Sequence, residues 1–247
     1  MVRRFQTDCL AALLLAVTTT ACTAGKAERT PIDKPPLGLF TTLPIYWSET
    51  PDISAMLNSE TSPHWVRMAL EEDYVLVPMD VLDAARLKGL DQVILAQPRA
   101  LAPAENVALD NWVRAGGRAL VFADPMLVQH SIFPIGDKRR PQDVVLLSPI
   151  LARWGLSLRF DEGQGEGPRT VVDGDLALPV VRAGHVSRSA GGEDSACALA
   201  AEAILAKCSI GKGEVLVVAD ADLLDIHAEN GAADAFETLV TRAFPNP

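Results

Sequence analysis

The chain has 247 residues, of which 49% are hydrophobic and 22% charged, enough for one large α/β domain or two small ones. Its formal net charge of −10 argues against nucleic acid and anionic lipid head groups as partners. Of these two organisations, we favour a single domain.

The first segment has the features of an export signal. Arg3 and Arg4 precede the apolar run CLAALLLAV, which leads to the small residues TTTAC. This run is about half the ~20 residues that a membrane-spanning helix needs, so no integral membrane domain is expected. The dipeptide ending at Cys22 is similar to the end of a bacterial lipobox, although Thr19 stands where leucine is usual. We therefore predict a signal peptide over residues 1–21 and lipidation of Cys22; ordinary cleavage and an uncleaved anchor are the alternatives.

A polar tether is predicted after the signal. Loss of the signal removes two arginines and one aspartate, which changes the net charge from −10 to −11. Because such a surface does not attract anionic membranes, attachment should depend on acyl chains at Cys22. Residues 22–36 contain three prolines and no apolar period, which indicates a flexible tether. We expect the domain, residues 37–247, to be periplasmic, either lipid-anchored or soluble.

The first half of the domain alternates apolar runs with helical periods. LGLFTTLPIYW, from Leu37 to Trp47, predicts the first buried strand with a loop at Pro44, and a helix with Ser62 as N-cap is predicted from Pro63 to Glu72. The strand YVLVP, a turn of helix in VLDAARL and the strand QVILAQP follow. Pro103 then begins a helix that ends at Gly116-Gly117, before the strand RALVFAD. Strands this apolar indicate a parallel sheet with helices on both faces.

The second half is predicted to add a β meander. A helix from Val144 to Trp154 ends at Gly155, and LSLRF has the pattern of a strand. Residues 161–192 are rich in Gly and Asp, with turns at DGD and RAG, as in a meander. EVLVVAD predicts another buried strand, and an amphipathic helix over residues 232–244 closes the chain. The predicted fold is α/β with a mostly parallel sheet.

Two cysteines of the domain, Cys197 and Cys208, could form a disulfide in an oxidising periplasm. Two interpretations stay open. If the intervening segment ALAAEAILAK is one helix, the cysteines lie ~16 Å apart and cannot bond. If it is an extended pair or a bend, they can.

Three aspartates follow two of the predicted parallel strands: Asp124 after RALVFA, and Asp220 and Asp222 after EVLVVA. Ligands of open parallel sheets bind outside the carboxyl ends of the strands, so this position favours a binding role. Asp is also a preferred N-cap, and both Asp124, before Pro125, and Asp222, before LLDIHAE, fit that structural role better. Asp220 is less easily explained.

The sequence supports a metal site, a catalytic site or an anion site less strongly. The run DADLLD with His227 supplies carboxylates and an imidazole, but its spacing matches no metal loop, so we predict no metal and no cofactor. The chain has no Gly-x-Ser-x-Gly elbow, and its histidines are scattered, so no catalytic residue is assigned. The only dense basic cluster is GDKRRP, where Lys138, Arg139 and Arg140 could bind an anionic ligand or an acidic partner.

Three segments carry a family resemblance: LDNWVRAGGRALVFADP, LLSPILARWGLSL and IGKGEVLVVADADLLD. They resemble the auxiliary domain of ABC-type transport systems of uncharacterised substrate, a family that includes the extracytoplasmic domain of gliding-motility transporters and is related to glutamine-amidotransferase-like folds. The resemblance covers most of residues 37–224. It implies a three-layer, flavodoxin-like or class I glutamine-amidotransferase-like sheet outside the cytoplasmic membrane, beside a separate permease and ATPase.

The resemblance carries over no catalytic residue, because no strand-end cysteine with a histidine matches the amidotransferase pattern. The function expected from the sequence is therefore a non-enzymatic auxiliary component of an ABC system. Its candidate ligand-binding residues are the three aspartates and the basic loop. A periplasmic hydrolase with Asp124 and Asp220 as an acid and base pair is one alternative, and a purely structural envelope protein is another.

Overall fold

A seven-stranded sheet forms the centre of the structure. The computed structural model describes residues 34–50, 62–225 and 231–245. The sheet contains β1 (Pro36–Thr41), β2 (Val75–Pro78), β3 (Gln92–Ala96), β4 (Arg118–Phe122), β9 (Ser195–Ala200), β10 (Leu205–Ile210) and β11 (Gly213–Val218). The strand order is β2-β1-β3-β4-β11-β10-β9, and the first five strands in this order are parallel. Strands β10 and β9 continue the sheet with antiparallel pairing.

Helices cover both faces of this sheet. They are α1 (Trp65–Asp73), α2 (Ala84–Leu87), α3 (Pro103–Arg114), α4 (Ser148–Arg153) and α5 (Ala232–Ala243), with 3-10 turns at Ala201–Ala203 and Asp222–Leu224. Helices α1 and α5 meet through Trp65 and Phe236, whose ring centroids are 5.6 Å apart. Helices α3 and α4 are joined by Asp110, which accepts from the indole N–H of Trp154 at 3.1 Å. The predicted mostly parallel α/β fold is thereby confirmed.

The added β region consists of two separate two-stranded sheets. Strand β5 (Leu156–Arg159) pairs antiparallel with β8 (His185–Arg188), and β6 (Arg169–Asp173) pairs antiparallel with β7 (Leu176–Val180). The β6–β7 turn is the predicted DGD, in which Gly174 has φ +63, a left-handed conformation that favours glycine. Within the described ranges, no helix is long and apolar enough to cross a bilayer.

Two predicted helix starts are wrong. Helix α1 begins at Trp65, and its N-cap is His64, not Ser62: the Nδ1 atom of His64 accepts from the backbone N–H of Val66 at 3.2 Å. Helix α4 begins at Ser148, not at Val144. The preceding residues instead pair with the loop after β4, where the N–H of Val145 donates to the carbonyl of Asp124 at 3.0 Å. Those backbone bonds hold the segment in a non-helical conformation.

The segment that contains Cys197 and Cys208 is an antiparallel strand pair, so the interpretation as one helix is wrong. The two residues lie directly opposite each other on β9 and β10, and the structure joins them by a disulfide with a Cα–Cα distance of 4.1 Å. The outer backbone edge of β9 is partly covered, because the Arg188 guanidinium donates to the carbonyl of Cys197 at 2.8 Å.

Candidate functional site at the carboxyl edge of the sheet

Four parallel strands end at one edge of the sheet. Because β4 and β11 pair in parallel with Phe122 opposite Val218, the residues that follow them emerge side by side. The ends of β1 and β3 lie on the same edge, with Thr41 opposite Ala96. This pairing bears out the shared edge expected from the apolar strands, which is where ligands bind in such sheets.

The three strand-end aspartates form one cluster, called here the acidic trio: Asp124, Asp220 and Asp222. One carboxylate oxygen from each lies within 4.8 Å of the others. Asp124 and Asp220 are completely buried, and Asp222 is 8% exposed. Asp225, which the sequence placed in the same acidic run, is not part of the trio, and His227 lies outside the described residues.

Backbone N–H groups from several loops donate to the trio. The Asp124 carboxylate accepts from Met126 at 2.7 Å and from Ala221 at 3.0 Å. Asp220 accepts from Val181 and from Asp222, both at 2.9 Å. The trio therefore fastens the loops after β4, β7 and β11 to one another.

The predicted helix-capping roles are wrong in detail. Asp124 closes a turn with Met126, and no helix follows until Ser148. Asp222 lies inside a 3-10 turn whose N-cap is Ala221, and its carboxylate accepts from the N–H of Val128 at 3.2 Å. Both side chains do satisfy backbone donors, as caps do, but the donors belong to turns and to distant loops.

The pKa values of all three carboxyls in the trio are raised. Burial raises the pKa of Asp124 to about 6, while burial and the charge of Asp124 raise the pKa of Asp222 to about 8. Burial, followed by the charges of its two neighbours, raises the pKa of Asp220 well above its ordinary value. The Asp124 and Asp222 carboxyls also shift each other's pKa values, because their oxygen atoms lie within 4.8 Å. Like charges this close cannot all ionise, so the trio shares protons in place of a counter-ion.

An open crevice lies beside the trio at the carboxyl end of β1. Its volume is about 260 Å³, and it is lined by Thr41, Thr42, Leu43, Pro44, Tyr46, Trp47, Ser48, Glu49, Thr50, Phe133 and Arg139. Trp47 is 66% exposed, and its ring meets the edge of Tyr46 at a centroid distance of 4.9 Å. The guanidinium of Arg67 stacks over Tyr46 at 4.4 Å, which holds this aromatic wall in place.

Two contacts support the opposite wall of the crevice. Glu49 accepts from the Ser131 hydroxyl at 2.7 Å and from the N–H of Ile132 at 2.8 Å, which ties the loop after β1 to the loop after β4. Arg139 stacks over the Phe133 ring at 4.1 Å. The crevice thus combines an exposed indole with a carboxylate and a guanidinium, a combination found in binding sites for polar ligands and for protein side chains.

Gln97 separates the crevice from the trio. It follows β3, is completely buried and has a positive φ of 44. Its amide nitrogen donates to the carbonyls of Asp124 at 3.0 Å and Gln142 at 2.7 Å, and its oxygen accepts from the N–H of Asp124 at 2.8 Å. Since the backbone N–H of Gln142 also donates to the Thr42 hydroxyl at 3.1 Å, hydrogen bonds link the residues that follow β1, β3 and β4.

The basic loop is largely neutralised by its own acids. Arg139 forms a bidentate pair with Asp137, and Arg140 pairs with Asp143 at 2.9 Å. The Arg139 guanidinium holds the pKa of Asp137 at about 2. Lys138 is exposed. Only Arg139 of this loop lines the crevice, so the structure does not present the three cations as one anion site.

The aromatic wall and Gln97 are not among the site residues predicted from the sequence. Tyr46 and Trp47 belong to a segment predicted as a buried strand, whereas β1 ends at Thr41 and the pair lies in the following loop. The loop predicted at Pro44 does lie in this region, but the chain leaves the strand earlier, after Thr41. Gln97 had a weaker signal, a Gln-Pro step at a strand end. Cys22 lies outside the described residues, so its lipidation stays a prediction.

No protein-family model and no curated protein matches this sequence. Among solved structures, an exo-beta-1,4-mannosidase from Opitutaceae bacterium strain TAV5 is 12% identical over 86% of this chain and 36% of its own, with a TM-score of 0.50. A beta-galactosidase from Rahnella sp. R3 is 12% identical over 87% of this chain and 32% of its own, with a TM-score of 0.48.

A third similar structure is a ThuA-like protein from Bacteroides uniformis, 12% identical over 87% of this chain and 95% of its own, with a TM-score of 0.42. The chain spans about a third of the length of the two glycosidases. At this level of identity, the similarity to the mannosidase shows a shared fold alone.

Proposed function

We propose that this chain is a non-enzymatic, extracytoplasmic binding component of an ABC-type transport system, anchored to a membrane through Cys22. One observation carries the binding role. At the carboxyl edge of the sheet, the acidic trio is buried and hydrogen-bonded, whereas the crevice beside it is open and contains the exposed Trp47. A buried cluster does not reach a substrate, while an open aromatic wall can take a ligand or a partner side chain.

The disulfide supports the proposed location. Bonds such as Cys197–Cys208 persist in oxidising compartments and are rare in the cytosol, so this pair fits an exported protein. The partnership with a transporter rests on the sequence resemblance. Since the chain has no Walker motif, the energy for transport would come from a separate ATPase.

Co-purification from membranes tests this proposal. After mild detergent extraction, we expect the chain to bring down a permease and an ATPase. Trp47→Ala should lose them, whereas Val172→Ala should retain them, because Val172 is also exposed, at 70%, but lies in β6, away from the crevice. If the unaltered chain recovers no transporter subunit, the proposed partnership is rejected.

The anchor is tested separately. Cys22→Ser should move the chain from the membrane fraction to the soluble periplasmic fraction, and unchanged membrane fractionation would reject lipidation.

A periplasmic hydrolase is the second candidate. One observation favours it: the proposed acid and base pair, Asp124 and Asp220, lies within the trio, where burial raises the pKa of Asp124 to about 6 and that of Asp220 well above its ordinary value. Nitrophenyl esters, phosphates and glycosides are suitable probes. Hydrolysis that Asp124→Asn abolishes and Trp47→Ala retains would establish the hydrolase and overturn the non-enzymatic role. If the chain neither hydrolyses these probes nor recovers a partner, the purely structural alternative gains support.

A further inference from the structure

Helix α1 ends in a run of acids that its own dipole does not favour. Glu71, Glu72 and Asp73 occupy its last turn, where the partial negative charge of a helix C-terminus favours cations. Glu71 is compensated by Arg67, at 2.8 Å. Glu72 and Asp73 are exposed, and neither forms an ion pair with any described lysine or arginine. Two uncompensated carboxylates therefore remain at this helix end.

These carboxylates border a groove between α1 and α5, called here the acidic groove. Its volume is about 240 Å³. The exposed Ala69 and Ala233 and the half-buried Val240 line its open part, above the buried rings of Tyr74 and Phe236. Small side chains on both helices leave room for an inserted apolar group.

Further acids complete the rim on the side of α5. Asp234 and Glu237 are exposed and line the groove opposite Glu72 and Asp73. No lysine or arginine lines the groove within the described part of the chain. The nearest cation on α5, Arg242, is held by Asp173 at 2.7 Å and by Asp175 at 2.5 Å. The groove is thus an apolar slot between two carboxylate pairs.

We propose that the acidic groove docks a basic amphipathic segment of a partner protein, with apolar side chains in the slot and lysines or arginines against the rim. Charge complementarity supports this occupant, because its cations would neutralise the four carboxylates of the rim, whereas the α1 C-terminus itself already has Lys34, which donates to the carbonyl of Glu71 at 2.7 Å. An anionic membrane surface would be repelled by the same charges. This surface is separate from the crevice, so the proposal does not depend on what the crevice binds.

The probe is a labelled amphipathic helix of leucine and lysine, about five turns long, together with a counterpart of leucine and glutamate. Its binding to the purified chain is measured by fluorescence anisotropy at physiological salt. We expect the lysine peptide to bind and the glutamate peptide not to bind. The double variant Asp73→Lys/Glu237→Lys should weaken binding at least about tenfold. Ala69→Phe, which fills the slot without changing charge, should also weaken it.

The matched control is Glu162→Lys/Glu193→Lys, which changes the net charge equally at two exposed acids outside the groove. We expect it to weaken binding less than about twofold. An equal loss in the control would show non-specific attraction to an acidic protein and overturn the proposal, as would full binding by both groove variants. Deletion of residues 23–33 should leave the affinity unchanged. An increase would identify the chain's own tether as the occupant and likewise overturn the partner assignment.

Discussion

The acidic trio and the crevice share one edge of the same sheet but differ in accessibility. The trio concentrates three ionisable groups, yet each is buried and accepts hydrogen bonds from loop backbones. The crevice has no such cluster of carboxyls, but it has an exposed indole and open volume. The comparison teaches that a strand-end position brings a residue to the edge where ligands bind, while the loops decide whether a ligand can reach it.

The largest expected effect is the loss of stability when one aspartate of the trio is replaced. Asp220→Ala removes the acceptor for two backbone N–H groups, those of Val181 and Asp222, in a fully buried position. We expect a loss of about 3 kcal/mol in the free energy of unfolding, measured by urea denaturation. Asp220→Asn keeps one acceptor oxygen and no charge, so it should cost less. Stability of the alanine variant within ~0.5 kcal/mol of the unaltered chain would contradict the bracing role.

The second effect concerns the side chain between the two regions. Gln97→Ala removes three hydrogen bonds and leaves the buried N–H of Asp124 without its acceptor, so we expect a loss of about 2 kcal/mol. Gln129→Ala is the control, because Gln129 donates only one bond, to the carbonyl of Ala221 at 3.1 Å, and is half-buried. Its cost should stay below about 1 kcal/mol. Equal losses would show that Gln97 does not link the regions.

The third effect is the dependence of stability on pH. A carboxyl whose pKa is raised on folding stabilises the protein below its unfolded pKa, and this stability is lost as the pH rises through the folded value. For Asp222 that window runs from about 3.8 to about 8. His64 acts oppositely below about 6.5, because burial lowers its pKa to about 4. The two effects oppose each other in mild acid, and above it the contributions of Asp222 and Asp220, whose pKa is also raised, remain.

Stability should therefore fall from about pH 6.5 to about pH 8, by at most ~1.4 kcal/mol per pH unit for each proton retained. Urea titrations at several pH values measure this slope. Asp222→Asn, which cannot ionise, should flatten it. A slope that is unchanged in this variant would show that the trio does not hold the proton.

The smallest effect is expected in the crevice. Trp47→Ala should change the free energy of unfolding by less than about 0.5 kcal/mol, because 66% of the side chain is already exposed. The same variant should lose its partner in the co-purification described above. A large loss of stability would instead make Trp47 a structural residue and weaken the contrast with the trio.

The sequence predicted the architecture better than it predicted the site. Continuous apolar runs such as RALVFAD and EVLVVAD are typical of buried parallel strands, whose carboxyl ends lie at one edge of a sheet. The common edge of Asp124 and Asp220 could therefore be predicted from the sequence. Whether that edge is open depends on long-range contacts. The bond from Val128 to Asp222 joins residues 94 positions apart, and no local pattern encodes it. The same holds for Gln97, whose partners lie 27 and 45 positions away.

Local sequence patterns are poor predictors of secondary structure where tertiary contacts dominate. Val144 begins an apolar period, but the backbone of this region bonds to the loop after β4 and forms no helix before Ser148. The cysteine segment has the composition of a helix, yet pairing between β9 and β10 holds it as strands. The structure thus resolves a choice that helix propensity alone left open.

The entry of the chain into the sheet has a consequence for orientation. Strand β1 begins at Pro36, at the rim opposite the crevice, and its six residues span about 20 Å of the sheet. Lys34, just before it, donates to the carbonyl of Glu71 at 2.7 Å and fixes the point where the preceding polypeptide leaves the domain. The anchor proposed at Cys22 would therefore connect to the domain at the rim opposite the one that carries Trp47.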